Sequence, residues 1–472
     1  MQRRAFLRLL GGAAAAAAAL RSGAAAAEGR PPLNFVVILI DDLGWTDVGC
    51  YGSTFYETAG VDRLARMGMR FTNGYAACTV CSPTRASILT GKYPARLHIT
   101  DWIAGHVRPH AKLRIPDWTK HMPHAEVTFA ETLKAAGYAT CFVGKWHLGS
   151  RPYFPETQGF DINIGGCERG QPPSYFAPYK IDTMPEGPEG EYLTDRHAKD
   201  CEAFLEAHRE KPFLLYLSQY AVHTPLQAKK DLTDAYEAKA KSQPDSSQRN
   251  PVYGAMVQSM AECVDRVISK LAGLELLDRT AIMFLGDNGG LLGGARNPVT
   301  CNLGLRAGKG SAYEGGVRVP FIVYWPGVTA PGSVCDVPVI SCDLYPTVLA
   351  MAGLAGDPAH CANVDGESLA PLLRGSGALA RDALYWHYPH YHPGGATPYG
   401  AVREGDLKLI EFYEDGRVEL YNLKEDQAET RDLAAAMPEK AAALCAKLDA
   451  WRRRVGAQMP SPNPAYDPAK NK

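Results

Sequence analysis

The sequence predicts an α/β protein: a large mixed, mainly parallel sheet flanked by helices, with a smaller C-terminal α+β subdomain. Three observations predict it. Short, nearly continuous apolar runs recur along the chain, and helical patterns lie between them. Each run is followed by polar or glycine-rich residues, where ligands gather at the carboxyl ends of strands. Past about residue 382 the alternation gives way to short antiparallel-type strands and one last helix.

Residues 1–27 stand apart from the fold. Gln2-Arg3-Arg4 opens a charged segment, an alanine-rich stretch runs from about Gly11 to Leu20, and Ala25-Ala26-Ala27 forms a small-residue cleavage site before Glu28. The arginine pair looks like a twin-arginine export signal, so the expected location is the periplasm or the medium, reached by the twin-arginine machinery with the chain already folded. A disordered tail or a lone anchor helix is the alternative.

The catalytic region is expected over 28–380. Leu33 to Ile40 is apolar and β-branched, as in a strand covered on both faces, and it ends in Asp41-Asp42. Further strands follow at Thr140–Val143, Phe213–Leu217, Ala281–Leu285 and Val319–Tyr324. Helical patterns cover Thr58–Met67, Glu126–Ala136, Thr194–His208 and Tyr253–Leu274. Segments 168–192 and 225–250, rich in Pro, Gly, Ser and charge, are expected to be surface loops. In the subdomain, 381–460, strands are expected at Ala383–Tyr388, Gly400–Glu404, Leu407–Tyr413 and Arg417–Tyr421, with Glu414-Asp415-Gly416 as a hairpin turn and a helix from about Pro438 to Arg454. Residues 461–472 form a tail.

Composition narrows the class. The 472 residues are 46% hydrophobic and 21% charged, which is ordinary for a globular protein. A net charge of −1 gives no electrostatic reason to expect nucleic acid. Outside the N-terminus no run of about 18 apolar residues occurs, so no stable membrane span is expected. The twelve cysteines are irregularly spaced. Cys78 and Cys81 have redox or zinc spacing, but no second CxxC accompanies them. Whether Cys335 and Cys342 pair is left open.

The chemistry-bearing residues fall into five groups. The first is Cys81-Ser82-Pro83-Thr84-Arg85, continuing to Thr90-Gly91. Pro83 fixes the backbone after the thiol, and Arg85 brings a rigid donor fork suited to a tetrahedral oxyanion. The second is Asp41-Asp42 with Asp287-Asn288, two oxygen-rich pairs at two strand ends that can converge on a hard divalent cation. Alone, an acidic pair is better read as a helix N-cap with a solvated neighbour. The others are Gly144-Lys145-Trp146-His147, Ala221-Val222-His223-Thr224-Pro225, and Gly308-Lys309-Gly310 leading to Tyr313-Glu314-Gly315-Gly316-Val317-Arg318-Val319-Pro320. Singly, Lys145 reads as a surface lysine, Lys309 as a solvated loop lysine, and His147 and His223 as satisfied structural histidines.

Together the five groups, in this order, resemble the formylglycine-dependent sulfatases of the arylsulfatase type, within the alkaline phosphatase superfamily. The resemblance runs from Asp41 to about Tyr421, with Thr79 a small departure from the signature. It implies that Cys81 is oxidised in the cytoplasm, by a formylglycine-generating or sulfatase-maturating enzyme, to Cα-formylglycine, whose hydrate is the nucleophile. It implies a metal site of Asp41, Asp42, Asp287, Asn288 and the residue-81 side chain, holding Ca²⁺ or, alternatively, Mg²⁺. Arg85, Lys145 and Lys309 would surround the sulfate. His223, helped by Lys309, would protonate the leaving alcohol, and His147 would take a proton from the hydrate, so that the aldehyde re-forms as sulfate leaves. Glu314 and Arg318 would hold the loop as an ion pair. The expected substrate is a sulfated carbohydrate, with aryl sulfates as surrogates. Asp101, Trp102 and His106, and also His387, His390 and His392 among aromatic residues, are candidates for contacting it, although the last group can equally pack a seam between domains. The alternatives are a phosphonate monoester hydrolase or phosphodiesterase of the same superfamily, or an inactive glycan-binding protein if Cys81 stays unmodified.

Overall fold

At the centre lies Asn34–Ile40 (β1), every residue of it buried. On one side it pairs in parallel with Phe213–Gln219, on the other with Thr280–Gly286. Neither neighbour exposes a residue, which is why all three strands read as continuous apolar runs. The structure, a computed structural model, describes residues 31–294 and 297–471. The leader read in residues 1–27 lies outside them.

The sheet has eight strands in the order 333–335, 69–71, 321–324, 280–286, 34–40, 213–219, 139–144 and 162–164. It is mixed, as expected. Phe321–Tyr324 runs antiparallel to Thr280–Gly286, with Phe321 opposite Leu285. The chain between them, 287–320, therefore starts and ends at the same edge of the sheet. That edge is the carboxyl end of β1.

Three helices, Ala59–Met67, Leu193–Ala207 and Pro251–Gly273, pack together. The segment 225–250 is not wholly loop, because Lys230–Ser242 is helical and its Tyr236 is buried. Its charge and its scarcity of apolar residues conceal a helix that buries little. Cys81–Thr90 (α1) is a helix buried at every position. With no polar face it carries no amphipathic signal, so periodicity does not mark it.

Ala383–Tyr388, Tyr399–Glu404, Leu407–Phe412 and Val418–Asn422 form an antiparallel four-stranded sheet. The helix Pro438–Val455 packs on it, burying Leu444, Leu448 and Trp451. These residues share one apolar cluster with Tyr75, Cys78, Val80 and Val317. The second sheet thus packs directly on the chain that leads into Cys81. Ser461–Pro462, from the tail, pairs with Leu113–Arg114. All twelve cysteines are free thiols, including Cys335 and Cys342. Among the described residues no helix is long and apolar enough to cross a membrane.

Candidate active site

Helix α1 explains the spacing of its own motif. Cys81 is its first residue, so the thiol sits at the end where free backbone N–H groups and the helix dipole favour an anion. Pro83 falls in the first turn, where its missing N–H costs no hydrogen bond. Arg85 stands one turn further along, on the same face as Cys81. The guanidinium is buried and fully committed. It donates to Asp287 Oδ2 from Nε at 3.0 Å and from Nη2 at 2.7 Å, and from Nη1 to the Lys145 carbonyl at 2.8 Å and Ser218 Oγ at 2.6 Å.

The two acidic pairs lie at the ends of two neighbouring strands and converge. Asp41 and Asp42 end β1, and Asp287 and Asn288 end the strand beside it. Asp42 adopts φ 58°, a left-handed backbone uncommon outside glycine and typical of functional sites. Lys145 Nζ lies 2.6 Å from Asp41 Oδ2, Lys309 Nζ 2.7 Å from Asp42 Oδ1, and the Asn288 amide donates to Asp42 Oδ1 at 2.8 Å. Asp41 Oδ1, Asp42 Oδ2 and Asn288 Oδ1 are buried and accept no hydrogen bond. Ligand atoms of Asp41, Cys81 and Asp287 lie within 4.8 Å of one another. Buried oxygens without partners are costly, and a hard divalent cation satisfies them. The donor set therefore fits such an ion.

Burial pushes the Asp41 carboxyl up, against the pull of Lys145, while Asp287 and Asp42 add repulsion. For Asp42 the push of burial is overcome by Lys309 and His223, which hold its carboxyl well below the usual range. Burial also raises the Cys81 thiol, with Lys145 and Lys309 opposing. An unmodified Cys81 is thus a poor thiolate.

The two histidines present different nitrogens. His147 Nε2 meets the Ile103 carbonyl, which can only accept, so Nε2 carries the proton and Nδ1 is the free base. That Nδ1 is buried and otherwise unpartnered. His147 also has φ 58°, and a side chain at Gly170 would lie 2.6 Å from the imidazole. His223 Nδ1 donates to the Thr224 carbonyl at 2.8 Å, leaving Nε2 3.6 Å from Asp42 Oδ2. Burial and then Lys309 lower the His223 pKa to about 3.

Comparison with known proteins decides the family. The sulfatase family model matches residues 33–354, most of the chain. The chain belongs to the sulfatase family. A second model, the C-terminal region of N-sulphoglucosamine sulphohydrolase, matches residues 308–453. Human arylsulfatase A is 33% identical over 421 residues, covering 81% of this chain and 75% of its own. Human N-acetylgalactosamine-6-sulfatase is 32% identical over 388 residues, covering 76% and 69%. The solved structure of Ps i-CgsB in complex with k-i-k-neocarrahexaose is 26% identical, with a TM-score of 0.75, and covers 93% of this chain and 95% of its own. This sulfatase is a sulfuric ester hydrolase.

Above the sulfatase cluster lies a pocket of about 350 Å³. Cys81, His147, His223 and Lys309 line it, together with Trp102, Ile103, Gly170, Gln171 and His392. Of the substrate candidates, Trp102 and His392 are on the wall and the others are not. His387 is buried between Tyr413 Oη and the Gln458 carbonyl. His390 is buried against Thr100 Oγ1 at 2.8 Å. Asp101 lies beneath the wall, accepting from Tyr388 Oη at 2.8 Å, Trp102 N at 2.9 Å and His106 N at 3.4 Å. His387, His390 and Asp101 thus hold wall segments rather than face a ligand. Sequence reading missed Ser218, Ile103 and Ser82. Ser82 Oγ donates to the His147 carbonyl at 2.8 Å and accepts from Ile103 N at 3.1 Å. Ser218 and the Ile103 carbonyl lie in no motif, and Ser82, although inside the first one, has partners on distant backbone that the motif does not reveal.

Proposed function

We propose that this sulfatase hydrolyses sulfate esters of a carbohydrate through formylglycine made from Cys81, with Asp41, Asp42, Asp287 and Asn288 holding Ca²⁺. The single observation that carries the reading is the position of Cys81: first in a buried helix, beside three carboxylates and two buried lysines. A bound cation of this kind supplies charge that favours an oxygen nucleophile at residue 81. Ca²⁺ is preferred to Mg²⁺ because its shell tolerates an irregular set of oxygens.

The chain's own groups do the rest. Lys309, on the pocket wall, orients the sulfate, Lys145 behind it adds positive charge that stabilises the outer oxygens, and Arg85, committed to Asp287 and the Lys145 carbonyl, holds both in place. Nδ1 of His147 accepts a proton from the group at position 81, and His223 with Lys309 delivers one to the departing alcohol, the Lys309 ammonium being its source because Nε2 of the neutral His223 carries none. Trp102 and Ile103 exclude water from this side. The carbohydrate assignment draws on the aromatic wall and on the oligosaccharide named in the Ps i-CgsB complex. Export through a twin-arginine signal, and conversion of Cys81 before export, belong to the same proposal.

Peptide mass spectrometry of protein from its native host tests it. The Cys81 peptide is expected about 18 Da lighter, as sulfur is exchanged for oxygen and two hydrogens are lost. Cys81→Ala is expected to abolish turnover of an aryl sulfate. Full activity in that variant would sink the reading. An aryl phosphodiester run beside the aryl sulfate separates this chemistry from that of a phosphodiesterase on the same fold.

A further inference from the structure

Beside the sulfate pocket lies a second cavity of about 770 Å³, roughly twice its size. The two share Leu291, Lys309, His392 and Pro393, so they adjoin along these four residues as neighbouring parts of a groove. Gly310 sits at their junction with φ 85°, and a side chain there would lie 2.2 Å from the His392 ring. Only glycine lets the catalytic-loop backbone run this close to His392.

The far wall is aromatic and cationic. Phe412 and Arg417 come from the C-terminal sheet and its hairpin, and Tyr313 from the loop after Lys309. The Arg417 guanidinium lies 3.9 Å from the Phe412 ring centroid, and that of Arg306 lies 3.7 Å from the Tyr313 ring. Stacking holds a guanidinium flat and leaves its edge for an oxyanion. Arg417 gives one η nitrogen to Glu419 and keeps its Nε 3.9 Å from Asp415, while its other η nitrogen makes no hydrogen bond among the described residues. Its side chain is half exposed. Glu419 is occupied by Arg417 and by the hydroxyls of Tyr313 and Tyr421, each at 2.7 Å.

A pocket of about 350 Å³ takes one sugar sulfate, and the larger cavity has room for further units of a chain. Aromatic faces suit sugar rings, and an exposed, stacked guanidinium suits a sulfate or carboxylate. We propose that the groove binds the neighbouring units of an anionic glycan, with Arg417 holding a second anionic substituent. The enzyme is then selective for oligosaccharides over single sugars. This extends the carbohydrate reading above and rests on it.

The test uses full-length, maturase-treated enzyme with three probes: 4-nitrophenyl sulfate, a ladder of carrageenan oligosaccharides whose anions are all sulfates, and a ladder of chondroitin 6-sulfate oligosaccharides that also bears carboxylates. Turnover of the aryl sulfate reports the sulfatase site alone. For at least one ladder, kcat/KM is expected to rise at least 10-fold from disaccharide to hexasaccharide. Arg417→Ala is expected to erase that rise while changing aryl sulfate turnover by less than twofold. Thr397→Trp, which puts a bulky side chain on the wall of the same cavity and leaves Arg417 itself in place, is expected to do the same. The proposal is overturned if neither ladder shows a length effect, or if the effect survives both variants. If aryl sulfate turnover is absent from the mature enzyme, it is the sulfatase reading that fails.

Discussion

Gly144 shows how a single backbone position shapes the site. It has φ 99°, and a Cβ there would lie 1.9 Å from the Ser218 carbonyl oxygen. The next residue, Lys145, donates its N–H to that same oxygen at 2.7 Å. Gly144→Ala must therefore push apart two central strands where Lys145 enters the cluster. A loss of about 2–4 kcal/mol is expected in urea unfolding, with loss of aryl sulfate turnover. Asp101 acts through charge instead. Burial raises its pKa to about 7, although Tyr388 Oη and the Trp102 and His106 amides pull it down. The folded value exceeds the unfolded one, so between about pH 4 and 7 the unfolded chain releases a proton that the folded chain keeps. Stability is then lost as pH rises through that window. Asp101→Asn removes this cost while keeping one oxygen for Tyr388 Oη and Trp102 N, and gives up only the long contact from His106 N at 3.4 Å. The variant is expected to match wild type in stability near pH 4 and to exceed it by a few kcal/mol at most near pH 7. A gain that does not grow with pH means Asp101 is not the group responsible.

At the scale of elements, the loop carrying Lys309 is anchored by the second sheet. Lys408, wholly buried, lies 2.9 Å from Glu314 Oε1 and 3.1 Å from Glu429 Oε1. Glu429 in turn accepts from the Glu314 N–H at 2.6 Å, and Tyr75 Oη donates to Glu314 Oε2 at 2.6 Å. The expected Glu314–Arg318 pair is present at 3.5 Å but is the weaker part of this network. Tyr399 Oη, also from the second sheet, donates to Thr79 Oγ1 at 3.1 Å, just before α1. Removing Lys408 leaves two buried carboxylates facing each other, with only the longer Arg318 contact to Glu314 in compensation. Lys408→Met is expected to cost about 3–5 kcal/mol by chemical denaturation, and Lys408→Met with Glu429→Gln to recover part of it. Because Lys309 sits on the same loop, the fraction of Lys408→Met that remains folded is expected to show reduced kcat on aryl sulfate. An unchanged kcat would show that the clamp stabilises the fold without positioning Lys309.

Across the whole molecule, a cation held by the proposed ligands would link the strand ends. Its proposed ligands come from β1, from Thr280–Gly286 and from α1, so binding should stabilise the folded chain as a unit. Chelation by EDTA is expected to lower the Tm and added Ca²⁺ to restore it, the folding stability regained being about 2.7 kcal/mol at a hundredfold excess over Kd. Asp287→Asn is expected to lose that response, and a Ca²⁺-dependent shift that persists in the variant would move the site elsewhere. The strand core, the parallel centre of the sheet and the motif residues of the cluster are legible in the sequence, whereas Ser218, Ile103 and the partners of Ser82 are not. Those strands are buried on both faces, so their apolar runs are unbroken, and the site residues sit in compact local motifs. Only the tertiary structure decided that α1 is a buried helix with Cys81 first, that Lys230–Ser242 is helical, and that His387, His390 and Asp101 hold the wall while Trp102 and His392 face the pocket. These are questions of which side chain faces a cavity and of which distant carbonyl lies opposite. Contacts such as His147 to Ile103, or Tyr399 to Thr79, arise from packing between segments far apart in the chain, and no local pattern records them.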